Sequence, residues 1–176
     1  MKLLTLIPAK LDSKRLTKKN IRELKGKPLF LHSIDYAQDT KHKNKIIVSS
    51  ESKEVEDLVP EDIFFHRRSE DLCGDVEVVD VYLDIIKGIK HKFDYVVCLQ
   101  PDNPKRSNSL DDCLDYMIDN NYDDLITVNN EYKRSGSVRI FKYGYLKEGL
   151  VSKRMGCIRD SATDIHYKED LEALYD

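Results

Sequence analysis

The stretch LLTLIPAKLDSKRLTKKN, residues 3–20, passes from an apolar run directly into a segment dense in Lys and Arg. Residues 3–7 are mostly apolar and are followed by Pro8, a pattern that predicts a buried β-strand. Cationic side chains then occupy five of the ten positions from 10 to 19. On charge alone, this segment is either a solvated surface loop or a cradle for a strongly anionic ligand.

The hydrophobic pattern of the rest of the chain predicts strands that alternate with helices. Predicted strands cover residues 3–7, 45–50, 63–65, 94–100, 125–129 and 137–141. Predicted helices cover residues 28–39, 51–58, 76–90, 109–120 and 168–175, with Asp75 as the N-cap of the third. Such alternation is typical of an α/β fold with a mainly parallel sheet and helices on both of its faces.

Length and composition predict a single domain that spans 1–176. No apolar run reaches the length of a membrane span and the N-terminus lacks a secretory pattern, so we expect no membrane partner and a cytoplasmic location. The spacing of the 4 cysteines matches no zinc or redox template, which favours reduced thiols.

Charge is distributed unevenly along the chain. Residues 1–50 carry 12 Lys and Arg against 4 Asp and Glu, whereas residues 51–176 carry 17 against 28. This asymmetry favours an anion-binding face on an acidic body. Nucleic-acid-binding proteins usually interleave aromatic residues with their basic ones, and the basic stretch has none between Lys2 and Phe30, so we expect no nucleic-acid partner.

Three polar segments follow predicted strands and should meet at one edge of the sheet, where α/β folds bind their ligands. They are residues 8–16, 49–52 and 101–106. Asp102, directly after the most apolar strand, could hold a divalent cation that bridges phosphates or could be a turn residue. Asp164 and His166 would share one face of an extended segment and could complete a metal site, although imidazole is an unusual ligand for Mg²⁺.

Four motifs, in this order, resemble the acylneuraminate cytidylyltransferase family, which includes the CMP-sialic acid synthetases. The first and most specific is IPAKLDSKRLTKKNIRELKGKPL, which resembles the family pattern IPARxGSKRLPxKNIxxLxGKPL. The others are RSEDLCGD (68–75), CLQPDNPKR (98–106) and DIHYKEDL (164–171). Asp102 is similar to the metal-binding Asp of the related Kdo cytidylyltransferases.

The resemblance implies a Rossmann-like nucleotidyltransferase fold and an enzyme that uses CTP and Mg²⁺ to transfer CMP to an acidic sugar, an ulosonic acid or a related small acceptor, with release of pyrophosphate. It implies catalytic roles for Lys14 and Asp102, a metal site at Asp102, Asp164 and His166, and acceptor contacts by Gln100 and Arg134. The implied nucleotide-binding residues are Pro8, Ala9, Lys10, Ser13, Lys14, Lys19, Asn20 and Arg68.

The chain also departs from the family pattern. His166 stands where an Asp is usual, and the usual dimerisation insert is missing near 132–134, so a homodimer is an open expectation. These departures leave an alternative function: a catalytically degenerate nucleotide-binding protein of the same fold. An almost intact first motif favours the enzyme.

Overall fold

A computed structural model describes residues 1–150 and 152–175. Within these residues, nine strands form in chain order: β1 Lys2–Pro8, β2 Glu23–Leu24, β3 Lys27–Pro28, β4 Lys43–Ser50, β5 Phe64–Arg67, β6 Tyr95–Cys98, β7 Asp124–Val128, β8 Arg134–Lys142 and β9 Met155–Arg159. The α-helices are α1 Leu29–Gln38, α2 Lys53–Glu56, α3 Val78–Lys87, α4 Leu110–Asp119, α5 Tyr143–Glu148 and α6 Lys168–Glu172.

Seven of the strands form one sheet in the order β5-β4-β1-β6-β8-β7-β9. Strand β8 runs antiparallel to β6 and β7, and every other neighbouring pair is parallel. The predicted α/β fold with a mainly parallel sheet is therefore confirmed. The short strands β2 and β3 form a separate antiparallel pair.

Residues 3–7 of strand β1 are mostly apolar and are buried on both faces of the sheet. Leu3 and Ile7 pack into a core on the side of α1 and α4. Leu4 and Leu6 face the opposite side, where they join side chains of α3 and α5. Because successive side chains of a strand point to opposite faces of the sheet, β1 contributes to both cores.

The structure corrects the sequence-based elements at several places. Strands β2, β3 and β9 and helix α5 were not predicted. Asp75 is not the N-cap of α3, because that helix begins at Val78 with Glu77 in the cap position. The Asp75 carboxylate instead accepts a hydrogen bond from Lys14 Nζ at 2.5 Å.

Strands β7 and β8 are joined by a closed turn at 129–133, the position at which the resemblance places a missing insert. The Asn129 side chain accepts hydrogen bonds from Glu131 N and Lys133 N, each at 3.0 Å. Asn129 N also donates to Lys133 O at 2.9 Å. The turn therefore completes its own hydrogen bonding within five residues.

None of the helices in the described parts of the chain is long and apolar enough to cross a membrane.

Asp123 gives the fold an acid-sensitive contact. Its buried carboxylate accepts hydrogen bonds from Lys142 Nζ at 2.8 Å and Arg154 Nη2 at 3.1 Å. These two cations lower its pKa from the ordinary value to about 2. Because a depressed pKa stabilises the folded state above the unfolded pKa of about 3.9, that stabilisation is lost as the pH falls through about 2.

We expect Asp123→Asn to lower the melting temperature at pH 6 and to lose this difference from the unmodified protein as the pH falls from about 4 to about 2. Melting curves of both proteins across this range measure the difference. A difference that stays constant down to pH 2 would show that the Asp123 charge does not contribute.

Candidate active site

The predicted meeting of polar segments occurs at the carboxyl ends of β1 and β6, where a cavity of about 320 Å³ opens. Nine of the residues proposed from sequence line it: Pro8, Lys10, Ser13, Lys14, Lys19, Asn20, Arg68, Gln100 and Asp102. The cavity wall also includes residues that sequence reasoning did not assign to the site: Arg15, Gly74, Asp75, Val76, Val78, Val81 and Pro101. The cavity therefore has a cationic side, supplied mainly by the Lys and Arg side chains of residues 10–19, here called the basic segment. Its apolar side is supplied by the valines at positions 76, 78 and 81, at and just before the start of α3.

The basic segment is held in place by hydrogen bonds to its backbone and to the residue before it. At its start, Ala9 N donates to Ser49 O at 2.9 Å. The buried Asn20 side chain returns to the segment and donates to Lys10 O at 2.8 Å. Ala9 itself is fully buried and does not line the cavity, so its contact with β4 fixes the turn rather than the cavity surface.

Lys10 and Lys14 reach across the cavity to the loop before α3. Lys10 Nζ donates to Gly74 O at 3.2 Å, and Lys14 Nζ pairs with Asp75 at 2.5 Å. The Lys14–Asp75 hydrogen bond raises the pKa of Lys14 and lowers the pKa of Asp75. Both side chains are largely exposed, so the pair contributes little to stability, and an anionic ligand can compete for Lys14.

Lys19 lies deeper and is tied to the opposite wall of the cavity. Its Nζ donates to Asp102 Oδ2 at 2.7 Å and to Ile165 O at 2.8 Å. The side chains of Lys19 and Asp102 are only 12% and 17% exposed, so this pair is much less screened than the Lys14 pair. Ile165 N in turn donates to Asp102 O at 2.9 Å, which attaches the C-terminal segment to the turn after β6.

Asp164 and His166 lie beside this pair. His166 Nε2 is 3.1 Å from Asp164 Oδ2. Partial burial, and then the negative charge of Asp102, raise the pKa of Asp164. Carboxylate oxygens are the kind of donor that Mg²⁺ prefers, and Asp102 and Asp164 supply them here. Asp102 lines the cavity, whereas Asp164 does not.

The three predicted metal ligands do not form one cluster. Within residues 1–150 and 152–175, no group of three His, Cys, Asp or Glu side chains is close enough together to hold a metal ion. Lys19 occupies one oxygen of Asp102, and His166 is directed to Asp164. The imidazole is therefore a partner of a carboxylate in this structure.

Arg68 is the most deeply buried cation of the cavity wall, with a side chain that is 3% exposed. Its Nη2 donates to Ser49 O at 3.0 Å, and its Nη1 lies 3.9 Å from Glu51 Oε2. Burial lowers the pKa of Arg68, and the nearby Glu51 carboxylate opposes that shift. The guanidinium is thus held by one carbonyl and a distant carboxylate, and its Nε has no hydrogen-bond partner among the described residues.

Gln100 is held at its backbone and at its side chain. Arg106 Nη2 donates to the backbone carbonyl oxygen of Gln100 at 2.9 Å. Gly136 lies against its side chain so closely that a Cβ on Gly136 would be 2.3 Å from the Gln100 amide carbon. Arg134, the other predicted acceptor contact, is exposed at the start of β8, two residues before Gly136, and does not line the cavity.

A cationic cavity beyond the carboxyl ends of a parallel sheet, with a carboxylate in its wall, is suited in an α/β protein to a polyanionic ligand such as a nucleotide. Residues 4–143 match the family described as cytidylyltransferase. The chain belongs to this cytidylyltransferase family.

Curated proteins with similar sequences have names that describe the same class of enzyme. The chain is 38% identical to the CMP-N,N'-diacetyllegionaminic acid synthase of Legionella pneumophila over 117 residues, which are 60% of this chain and 48% of that protein. It is 30% identical to a pseudaminic acid cytidylyltransferase of Campylobacter jejuni over 110 residues, 59% of this chain and 47% of that protein. The chain therefore spans about half the length of the curated relatives it matches.

Solved structures share the fold. A CMP:2-keto-3-deoxy-manno-octonic acid synthetase complexed with CTP superposes with a TM-score of 0.76 at 16% identity, over 99% of this chain and 97% of that one. A cytidylyltransferase from Leptospira borgpetersenii superposes with a TM-score of 0.75 at 19% identity, over 99% and 85%. These likenesses confirm the expected Rossmann-like nucleotidyltransferase fold.

Proposed function

We propose that this protein is a cytidylyltransferase that binds CTP in the cavity beside β1 and β6 and transfers CMP to an acidic sugar of the ulosonic acid class. The observation that carries the proposal is the convergence of Lys10, Lys14, Lys19 and Arg68 on one cavity. The acceptor class rests on the names of the relatives from Legionella pneumophila and Campylobacter jejuni. A cytoplasmic location and use of Mg²⁺ are parts of the same proposal.

In this proposal the triphosphate replaces Asp75 as the partner of Lys14. The acceptor hydroxyl oxygen forms a bond to the α-phosphorus and releases its proton to solvent. The bond from that phosphorus to the bridging oxygen breaks, and pyrophosphate leaves with the electron pair. Lys14 and Arg68 neutralise the negative charge that accumulates on the phosphate oxygens. Gln100, held by Arg106 and Gly136, directs its amide toward the acceptor.

Asp102 and Asp164 would hold the Mg²⁺ ion. When bound, this ion supplies Lewis-acid neutralisation of the phosphates. Lys19 orients Asp102, because its ammonium group donates to that carboxylate at 2.7 Å.

Nucleotide-dependent stabilisation tests the proposal. We expect Mg²⁺ with CTP to raise the melting temperature more than Mg²⁺ with UTP, ATP or GTP, with about 2.7 kcal/mol of added stability when CTP is at 100 times its Kd. Differential scanning fluorimetry across the four nucleotides measures the shifts. The absence of any shift would contradict a nucleotide site altogether.

Pyrophosphate release separates the enzyme from the degenerate alternative. We expect release from CTP when the protein is given a panel of acidic nine-carbon and eight-carbon sugars. Stabilisation by CTP without pyrophosphate release from any of them would favour a nucleotide-binding protein that has lost catalysis.

A further inference from the structure

We propose that Glu51 is a positioning residue that fixes the basic segment through its backbone. Glu51 Oε1 accepts a hydrogen bond from Leu11 N at 2.6 Å, and it lies 3.4 Å from Asp12 N. Glu51 follows β4 directly, so a rigid strand end carries the acceptor. Glu51 does not itself line the cavity.

These hydrogen bonds lie where they can set the path of the backbone into the cavity wall. Ala9 N is held by Ser49 O and Lys10 O by Asn20, so Glu51 adds the last backbone anchor before Ser13, Lys14 and Arg15 enter the cavity wall. The next backbone contact of the segment joins Lys19 N to Leu16 O at 3.1 Å. The cavity-lining part of the segment is therefore held at its beginning by Glu51.

Charge alone does not explain the arrangement. A carboxylate beside an anion-binding loop opposes the ligand, and Glu51 Oε2 is buried without a hydrogen-bond partner among the described residues, 3.9 Å from Arg68. A buried carboxylate oxygen that has only a distant ion pair and no hydrogen bond is unfavourable unless the other oxygen has a specific task. The two backbone N–H groups provide that task, because a side-chain acceptor satisfies donors that the turn cannot satisfy internally.

Glu54 offers a matched control. It also pairs with the basic segment, at Lys18 Nζ, but through an exposed side-chain contact at 2.6 Å. Lys18 does not line the cavity. Glu51→Ala and Glu54→Ala remove the same charge from neighbouring positions, and only the first removes a backbone anchor.

Limited trypsin digestion of the full chain tests the inference without any nucleotide. The segment contains five trypsin sites: Lys10, Lys14, Arg15, Lys18 and Lys19. We expect Glu51→Ala to speed cleavage within residues 10–19 about tenfold, while Glu54→Ala and Glu51→Gln cleave at the unmodified rate, because the Gln amide oxygen still accepts from Leu11 N. Mass spectrometry assigns each cut to its site.

Three results would overturn the inference: unchanged cleavage in Glu51→Ala, equal acceleration in Glu54→Ala, or failure of Glu51→Gln to restore protection. Cleavage spread evenly over the whole chain of Glu51→Ala would also overturn it, since Glu51 would then stabilise the fold rather than the segment.

The consequence for ligand binding rests on the proposed function. We expect Glu51→Ala to weaken CTP binding about tenfold or more by calorimetry and Glu51→Gln to restore it. If the unmodified protein does not bind CTP, the proposed function fails while the digestion result still decides the role of Glu51. Restored protection without restored CTP affinity in Glu51→Gln would contradict positioning as the route to affinity.

Discussion

Asp102→Asn is expected to lower Mg²⁺-dependent pyrophosphate release about 100- to 1,000-fold while leaving the melting temperature of the free protein nearly unchanged. An amide oxygen is a much poorer ligand for a hard divalent cation than a carboxylate. The fold should tolerate the change because Lys19 keeps its hydrogen bond to Ile165 O and can still donate to the Asn oxygen. Removing the Asp102 charge also relieves its repulsion of Asp164.

Asp124→Asn is the matched control for that experiment. Asp124 is a buried carboxylate paired with a cation, Arg139 Nη2, at 2.9 Å, and it lies outside the cavity. We expect this variant to lose stability and to keep its turnover, because the Arg139 side chain has no second hydrogen-bond acceptor among the described residues, whereas that of Lys19 has Ile165 O. If Asp102→Asn instead melts early and still responds to Mg²⁺, Asp102 is a structural turn residue.

Much of the fold could be predicted from the sequence because its central strands are unambiguous. Strand β1 and the strand at 95–98 are mostly apolar, a pattern that is typical of a buried parallel strand. Their position before polar turns predicts a site at one edge of the sheet. Nine of the residues that the family resemblance implies line the cavity, and all of them except Arg68 lie at or after the end of one of these two strands.

The missed elements lack a periodic signal. Strand β9 contains Gly156, whose missing Cβ makes room for the Tyr122 ring, since a Cβ there would lie 2.4 Å from it. A glycine in a short edge strand weakens the pattern that predicts the strand. Helix α5 has only six residues, too few for a helical period to show.

The missed parts of the site depend on contacts between distant segments. Asp75 was predicted as a helix cap, yet its carboxylate meets Lys14, which lies 61 positions away in the chain. Glu51 meets Leu11 across 40 positions. Local patterns predict where a segment lies, and they do not show which side chain crosses to another segment.

Arg106→Met is expected to destabilise the protein by about 3 kcal/mol, the largest effect on stability among the changes considered. Arg106 donates from Nε to Ser137 O at 3.0 Å and from Nη2 to Gln100 O at 2.9 Å and Ser33 Oγ at 3.2 Å. Its guanidinium lies 4.8 Å from the centre of the Tyr36 ring, and burial lowers its pKa to about 10. Loss of the guanidinium leaves its buried acceptors without a donor, and each unsatisfied acceptor lowers the free energy of unfolding by about 1–3 kcal/mol. Removal of a desolvated charge offsets part of this loss.

Arg106→Met should also change acceptor binding, because Arg106 donates to the backbone carbonyl oxygen of Gln100. Urea unfolding measures the stability, and acceptor KM in the folded variant measures the second effect. Arg106→Lys should recover less than half of the loss, since one ammonium group cannot reproduce a planar fork directed at three acceptors. Arg139→Met removes a guanidinium that stacks on Phe141 outside the cavity, so it should leave acceptor KM unchanged. A loss below about 1 kcal/mol in Arg106→Met would mean that the acceptors find other donors and that Gln100 does not depend on Arg106.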